Sequence, residues 1–289
     1  MIRLIHMGSI ALCIVSVVLY VLSGLYMDRN SDPYGPEIHM ERNIIEVSIH
    51  ASEEQLLDGI TATDNKDGDV TDSLLIESMG MFIDKGKRKI VIDAFDSNHN
   101  VTKVERTVKY FDYVSPRITL SGPLRAPIND INKLTELITV EDCLEGDITD
   151  AVQLTPGKSS DTYSLPGEYK MKISVVNSVG DVVEVPVTIE LYESLQDSSR
   201  PKALLSDYLI YTKVGQEIDP NQYLQGIVVR NVEYKWDDEV TGTIAPYTRR
   251  QVDIENNVDI ATPGVYDIVY SITDKTVTTQ IRMVVIVEE

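Results

Sequence analysis

Four carboxylates stand within nine residues, Asp64, Asp67, Asp69 and Asp72, in the run Thr63-Asp64-Asn65-Lys66-Asp67-Gly68-Asp69-Val70-Thr71-Asp72. A second run, Glu141-Asp142-Cys143-Leu144-Glu145-Gly146-Asp147-Ile148-Thr149-Asp150, puts Asp142, Glu145, Asp147 and Asp150 in the same places. Hard oxygen donors at this density are the type calcium takes. The spacing is not that of an EF-hand. With Gly68 at loop position six, position one is Thr63 and position twelve is Leu74, so the first ligand and the bidentate carboxylate are both missing.

The competing chemistry is conformational. Asn65-Lys66-Asp67-Gly68 reads as a type I turn closing on a glycine in the left-handed conformation, with Asx side chains bonding their own backbone. The second copy replaces Asn65 by Cys143, Lys66 by Leu144 and Asp67 by Glu145, and it keeps Gly146, Asp147 and Thr149. What survives is mainly turn chemistry. We therefore expect a structural hairpin and no cofactor, with the eight carboxylates kept as the calcium candidates.

Other reactive residues form no set. His6, His39, His50 and His99 are scattered, and no pair has zinc-like spacing. Cys13 lies in an apolar segment and Cys143 stands alone, so there is no disulfide framework and no thiol beside a histidine in sequence. No nucleophile elbow, phosphate loop or dinucleotide fingerprint occurs. We expect a non-enzymatic protein. The formal charge of −20, from 46 acidic and 26 basic residues, argues against a nucleic-acid partner, because phosphate binding needs clustered Lys and Arg. Exposed aromatic residues are the remaining recognition chemistry. Tyr234 and Trp236 are the candidate binding residues, since they fall where the last third of the chain departs from its internal repeats.

The elements that would position these residues follow from repetition and alternation. Gly68 and Gly146 are 78 residues apart, too far for a solenoid repeat and suited to a small β-sandwich. Period-two alternation runs through most of the chain: Tyr169, Met171, Ile173 and Val175 share one strand face, as do Tyr266, Ile268, Tyr270 and Ile272. Both strands follow a Pro-Gly pair, Pro166-Gly167 and Pro263-Gly264, in which we expect the glycine to supply a positive φ. The polar loops Asp96-Ser97-Asn98-His99-Asn100 and Asn177-Ser178-Val179-Gly180-Asp181, and a shortened Asp274-Lys275, then lead into a last strand in each repeat. Helical character is confined to Met7–Met27, 21 residues without a charge, or about 31 Å as a helix. A retained transmembrane anchor is the preferred reading there, with a cleaved signal peptide and a buried helix as alternatives.

The predicted fold is all-β, three tandem immunoglobulin-like β-sandwich domains preceded by one N-terminal transmembrane helix. Residues 1–29 form the anchor and its tail. The domains span 33–112, 113–196 and 197–289, the last diverged, with proline-bearing linkers such as Asp32-Pro33-Tyr34-Gly35-Pro36 between elements.

Thr61-Ala62-Thr63-Asp64-Asn65-Lys66-Asp67-Gly68-Asp69-Val70-Thr71 and Pro263-Gly264-Val265-Tyr266-Asp267-Ile268-Val269-Tyr270-Ser271-Ile272-Thr273-Asp274 resemble the two halves of a bacterial immunoglobulin-like surface domain, A-T-D-N-x-D-G-D-I-T followed by P-G-x-Y. The third repeat keeps the second phrase and degrades the first to Asp237-Asp238-Glu239-Val240-Thr241-Gly242. The resemblance implies extracellular spacer or adhesion modules. The expected protein is held in a bacterial cell membrane through residues 7–27, N-terminus cytoplasmic and C-terminal domains outside, with an unknown protein or glycan partner. The alternatives are an accessory or spacer subunit of an envelope complex and a calcium-rigidified stalk.

Overall fold

The computed structural model describes residues 2–30, 32–157, 163–236, 247–275 and 277–289, without the side chains of 2–7, 10, 24–30, 195 and 196. The degraded acidic phrase of the third repeat, from Asp237 to Gly242, lies outside the described residues. Strands dominate, and the chain forms two compact units, Met1–Asp112 and Tyr113–Glu289.

The uncharged N-terminal run lies in one helix, Ile2–Asn30, of 29 residues. Its described apolar side chains, among them Leu12, Val18 and Leu22, are exposed. Among the described residues, no helix is long and apolar enough to cross a membrane.

The β part of the first unit pairs two sheets. One holds Glu37–Met40, Ile60–Asp64 and Gly68–Asp69, all antiparallel. The other runs in the order Ile44–Val47, Val101–Tyr110, Lys87–Phe95 and Leu75–Asp84, with Ile44–Val47 added in parallel to the last strand of the chain segment. Alternation decides which face is buried. Ile60, Ala62 and Asp64 point inward while Thr61 and Thr63 are exposed, and Ile90, Ile92 and Ala94 are wholly buried on the facing sheet. The carboxylate of Asp64 is thus carried into the interior by the phase of its strand.

The same strand order recurs twice in the second unit. Arg117–Leu120, Ile138–Asp142 and Gly146–Asp147 form one three-stranded sheet, and Lys202–Leu205, Leu224–Val229 and Val232–Lys235 another. The four-stranded sheets are Arg125–Pro127, Val182–Tyr192, Gly167–Val176 and Gln153–Pro156, then Leu209–Lys213, Val277–Glu288, Gly264–Asp274 and Val252–Asn256. Each again opens with a short parallel strand against the long final one. Repeat three has therefore kept the topology of the other two while losing the acidic phrase.

One continuous apolar cluster, from Ile118 in the second module to Val287 in the third, fills this unit. Charged side chains join the two modules around it. Arg117 pairs with Glu288 at 2.9 Å and lies 4.2 Å over the Tyr211 ring, whose hydroxyl accepts the Ile118 N–H at 2.9 Å. Arg282 bonds Asp267 and, across the modules, Glu168, both at 2.7 Å.

One of the two Pro-Gly pairs departs from expectation. Gly167 has φ +152°, but Gly264 is not among the glycines of positive φ. At Gly264 the requirement is space: a Cβ there would stand 3.2–3.3 Å from the Tyr266 ring and hydroxyl, which fold back over the turn to donate to the Thr262 carbonyl.

Candidate metal centre in the first module

The acidic turn is built as a turn. Gly68 has φ +78° and Gly146 φ +75°, the left-handed conformation that glycine adopts without a side-chain clash. Asp64 Oδ1 accepts the N–H groups of Lys66 and Asp67 at 2.8 and 2.9 Å, and Asp142 Oδ1 accepts those of Leu144 and Glu145 at 2.8 and 3.1 Å. These are Asx turns, as the residue types require.

The remaining acids of the first run spend their oxygens locally. Asp67 accepts from the Ser97 N–H at 2.7 Å and the Ser97 hydroxyl at 2.9 Å, and those bonds, the backbone one foremost, hold its carboxyl below the usual range. It braces the turn to the Asp96–Asn100 loop. Asp69 accepts the Thr71 N–H at 3.0 Å and is likewise held low by its hydrogen bonds with Thr71. Asp72 is exposed in the following 3-10 turn. In the second run Glu145 accepts the Ser178 N–H at 2.6 Å, Asp147 accepts the Thr149 N–H at 2.9 Å and is held low by Thr149, and Asp150 is exposed. Of the eight carboxylates, Asp64 alone joins a cluster of possible metal ligands among the described residues.

Its companions are Asp32 and Asp96. One oxygen from each of the three lies within 4.8 Å of the others, and the residues are only 7 or 8% exposed. Asp32 leads into the first strand and its Oδ1 accepts the Tyr34 N–H at 3.1 Å. Asp96 directly follows the strand Lys87–Phe95, and its Oδ1 accepts the Asn100 N–H at 2.7 Å. The Asn100 amide staples the group together, donating at 2.6 Å to Asp96 Oδ2 and at 2.7 Å to the Asp32 carbonyl. Oδ2 of Asp32 and Oδ2 of Asp64 are buried with no hydrogen-bond partner. Two unit charges 4 Å apart repel by about 1 kcal/mol in water and about 4 kcal/mol at the dielectric typical near a protein surface.

The second module closes the same corner differently. Asn177 occupies the place of Asp96, and its Nδ2 donates at 3.0 Å both to Asp142 Oδ2 and to the Tyr113 hydroxyl. That hydroxyl donates in turn to Asp181 at 2.7 Å. Burial and the neighbouring Asp181 push the Tyr113 phenol far up, so it stays a donor. The amide gives Asp142 Oδ2 its proton, and the phenol gives one to Asp181.

In the third module Trp236 Nε1 donates to the Tyr247 carbonyl at 3.2 Å, and the Arg249 guanidinium lies 5.3 Å from the indole. Tyr234 and Trp236 are both half-buried and pack on the apolar cluster, leaving one side of each facing out.

Asp64 was readable as a ligand candidate because it is one of four carboxylates within nine residues. Asp32 and Asp96 were not, although a signal existed: aligning the two polar loops sets Asp96 against Asn177, an exchange of an acceptor for a donor.

At 23% identity over 254 residues, the chain is similar to the pesticidal crystal protein Cry22Aa of Bacillus thuringiensis, with 84% of this chain and 32% of that protein aligned. The chain thus spans about a third of the length of that curated relative. No protein-family model matches it. Among solved structures, CBM51-2 in complex with GlcNAc and INT domains from Clostridium perfringens ZmpB aligns at 21% identity over 52% of this chain and 26% of that one, with a TM-score of 0.22. The human desmocollin-1 ectodomain aligns at 11% identity over 88% of this chain and 58% of that one, with a TM-score of 0.20. Likenesses this slight carry no argument.

Proposed function

We propose that this chain is a non-enzymatic bacterial cell-surface protein, held in the membrane by its N-terminal helix, whose three immunoglobulin-like sandwiches present a face for adhesion to a protein or glycan. The observation that carries this reading is the threefold copy of one strand order. Duplication of a scaffold with freedom in its loops suits presentation, because function then resides in what the scaffold holds. The 21-residue uncharged run within the helix Ile2–Asn30 has the length of a bilayer core, and the net charge of −20 suits a soluble exterior portion. Tyr234 and Trp236, amphipathic and half-buried, are the first candidates for the contact surface.

The charged joint between the second and third modules favours a second role, an accessory or spacer subunit of an envelope complex, for which a fixed geometry is the useful property. Fractionation of the producing cells tests the shared claim. The full chain is expected to remain with membranes through an alkaline carbonate wash and to be digested by protease added to intact cells. Recovery in the soluble cytosolic fraction, or complete protection until the cells are lysed, contradicts it.

A further inference from the structure

We propose that Asp32, Asp64 and Asp96 bind one calcium ion, which clamps the segment entering the first module to its acidic turn and to its last hairpin loop. This goes beyond the surface reading above and does not depend on it.

Four observations converge. The three carboxylate oxygens lie within 4.8 Å of one another, and oxygens on opposite sides of one calcium ion stand roughly 4.6–5.2 Å apart at its usual bond lengths. A single ion can therefore reach all three. Next, Asp32 and Asp64 each aim a buried, unpartnered Oδ2 in this region, although their side chains are more than nine-tenths buried. A buried acceptor without a partner costs free energy, and a buried charge costs more, so such atoms persist where something positive satisfies them. The other oxygen of each residue is already fixed: Oδ1 of Asp32, Asp64 and Asp96 accept backbone N–H groups from Tyr34, from Lys66 and Asp67, and from Asn100. Ligands held in this way lose little freedom when an ion arrives.

The fourth observation is an internal control. The second module has the same turn with the same Asx bonds, yet there the Asn177 amide donates to Asp142 Oδ2. Where repeat two places an N–H donor against Asp142 Oδ2, repeat one places a third carboxylate, whose own Oδ2 takes the Asn100 amide and leaves Asp64 Oδ2 without a proton donor. The acceptors left unmet call for an electropositive occupant. Carboxylates from three irregular loop positions, rather than a regular octahedral cage, suit calcium's flexible coordination better than magnesium's.

The test uses the full chain in detergent micelles, dialysed against chelator and then titrated with calcium chloride in a calorimeter. One ion is expected to bind per chain. Asp96→Asn, which restores the amide of repeat two, is expected to weaken binding at least tenfold, and Asp64→Asn likewise, while Asp69→Asn binds as the parent does. No binding at millimolar calcium, or equal affinity in Asp96→Asn and the parent, overturns the proposal. A thermal melt separates binding from folding. In chelator, Asp96→Asn is expected to melt at or above the parent because a repelling charge is gone, and added calcium should raise its midpoint less than the parent's. Asp96→Asn melting below the parent in chelator, or rising with calcium as far as the parent does, also overturns it.

Discussion

Replacing Arg125 by alanine lowers the unfolding free energy of the Tyr113–Glu289 unit by about 2–4 kcal/mol, the range for removing one partner from a buried ion pair, reduced because some charge stays compensated. Arg125 reaches Glu190 at 2.6 and 3.1 Å and Asp197 at 2.8 Å, with its guanidinium 4.9 Å from the Tyr192 ring. Its side chain and that of Asp197 are buried, and Glu190 is about three-quarters covered. Lys202 also bonds Asp197 at 2.8 Å, so the variant leaves Asp197 with one cation instead of two. Asp197 ends the short helix Ser194–Asp197 and Lys202 begins the third module's first strand, so the network lies where the chain passes from one module to the next.

The effect has a pH signature. Burial works to raise the Asp197 carboxyl, but the bonds from Lys202 and Arg125 outweigh it and hold it below its ordinary value. A carboxyl depressed in the folded state stabilises the fold above its unfolded value, near 4, and that contribution disappears as pH falls through the lower folded value. The difference between parent and Arg125→Ala should thus be largest at neutral pH and shrink in strong acid. Guanidinium unfolding followed by the fluorescence of Trp236, the chain's single tryptophan, reads it directly. A loss below about 1 kcal/mol at pH 7, the value of an exposed pair, would show that the network is not a buried joint.

Gly226→Ala is expected to be comparably damaging for a steric reason, about 3 kcal/mol, at the upper end of overpacking costs. Gly226 is buried in the strand Leu224–Val229 and pairs with Leu204 on one side and Lys235 on the other. A Cβ there would stand 2.1 Å from the Tyr234 carbonyl oxygen and 2.9 Å from its carbon. These are backbone atoms, so relief requires the strand Val232–Lys235 to move, and that strand leads into Trp236. The variant should both destabilise the unit and displace the Trp236 emission in the folded state. Unchanged stability and emission would mean that the hairpin yields without cost.

The strands were readable because each local choice agrees with the fold. Tyr169, Met171, Ile173 and Val175 alternate inward, and the same alternation preserved the third module after its acidic phrase had changed, since pairing depends on the pleat and the hairpins rather than on one turn. The site was readable only in part. Asp67, Asp69 and Asp72 are close to Asp64 in sequence, yet the turn sends them to Ser97, to Thr71 and to solvent. The residues that meet Asp64 come from a proline-bearing lead-in and from a loop 32 positions on, brought together by pairing that sequence spacing does not encode. The Arg125 network was hidden for the same reason, as its four members show no periodicity.

The most direct test of the account is anomalous diffraction from crystals of the full chain grown in calcium. It predicts one peak among the carboxylates of Asp32, Asp64 and Asp96 and none at Asp142 and Asn177, where the amide already meets the acid. No peak at the first position, or a peak at the second, contradicts the claim that one repeated corner is built for an ion in the first module and closed by protons in the next.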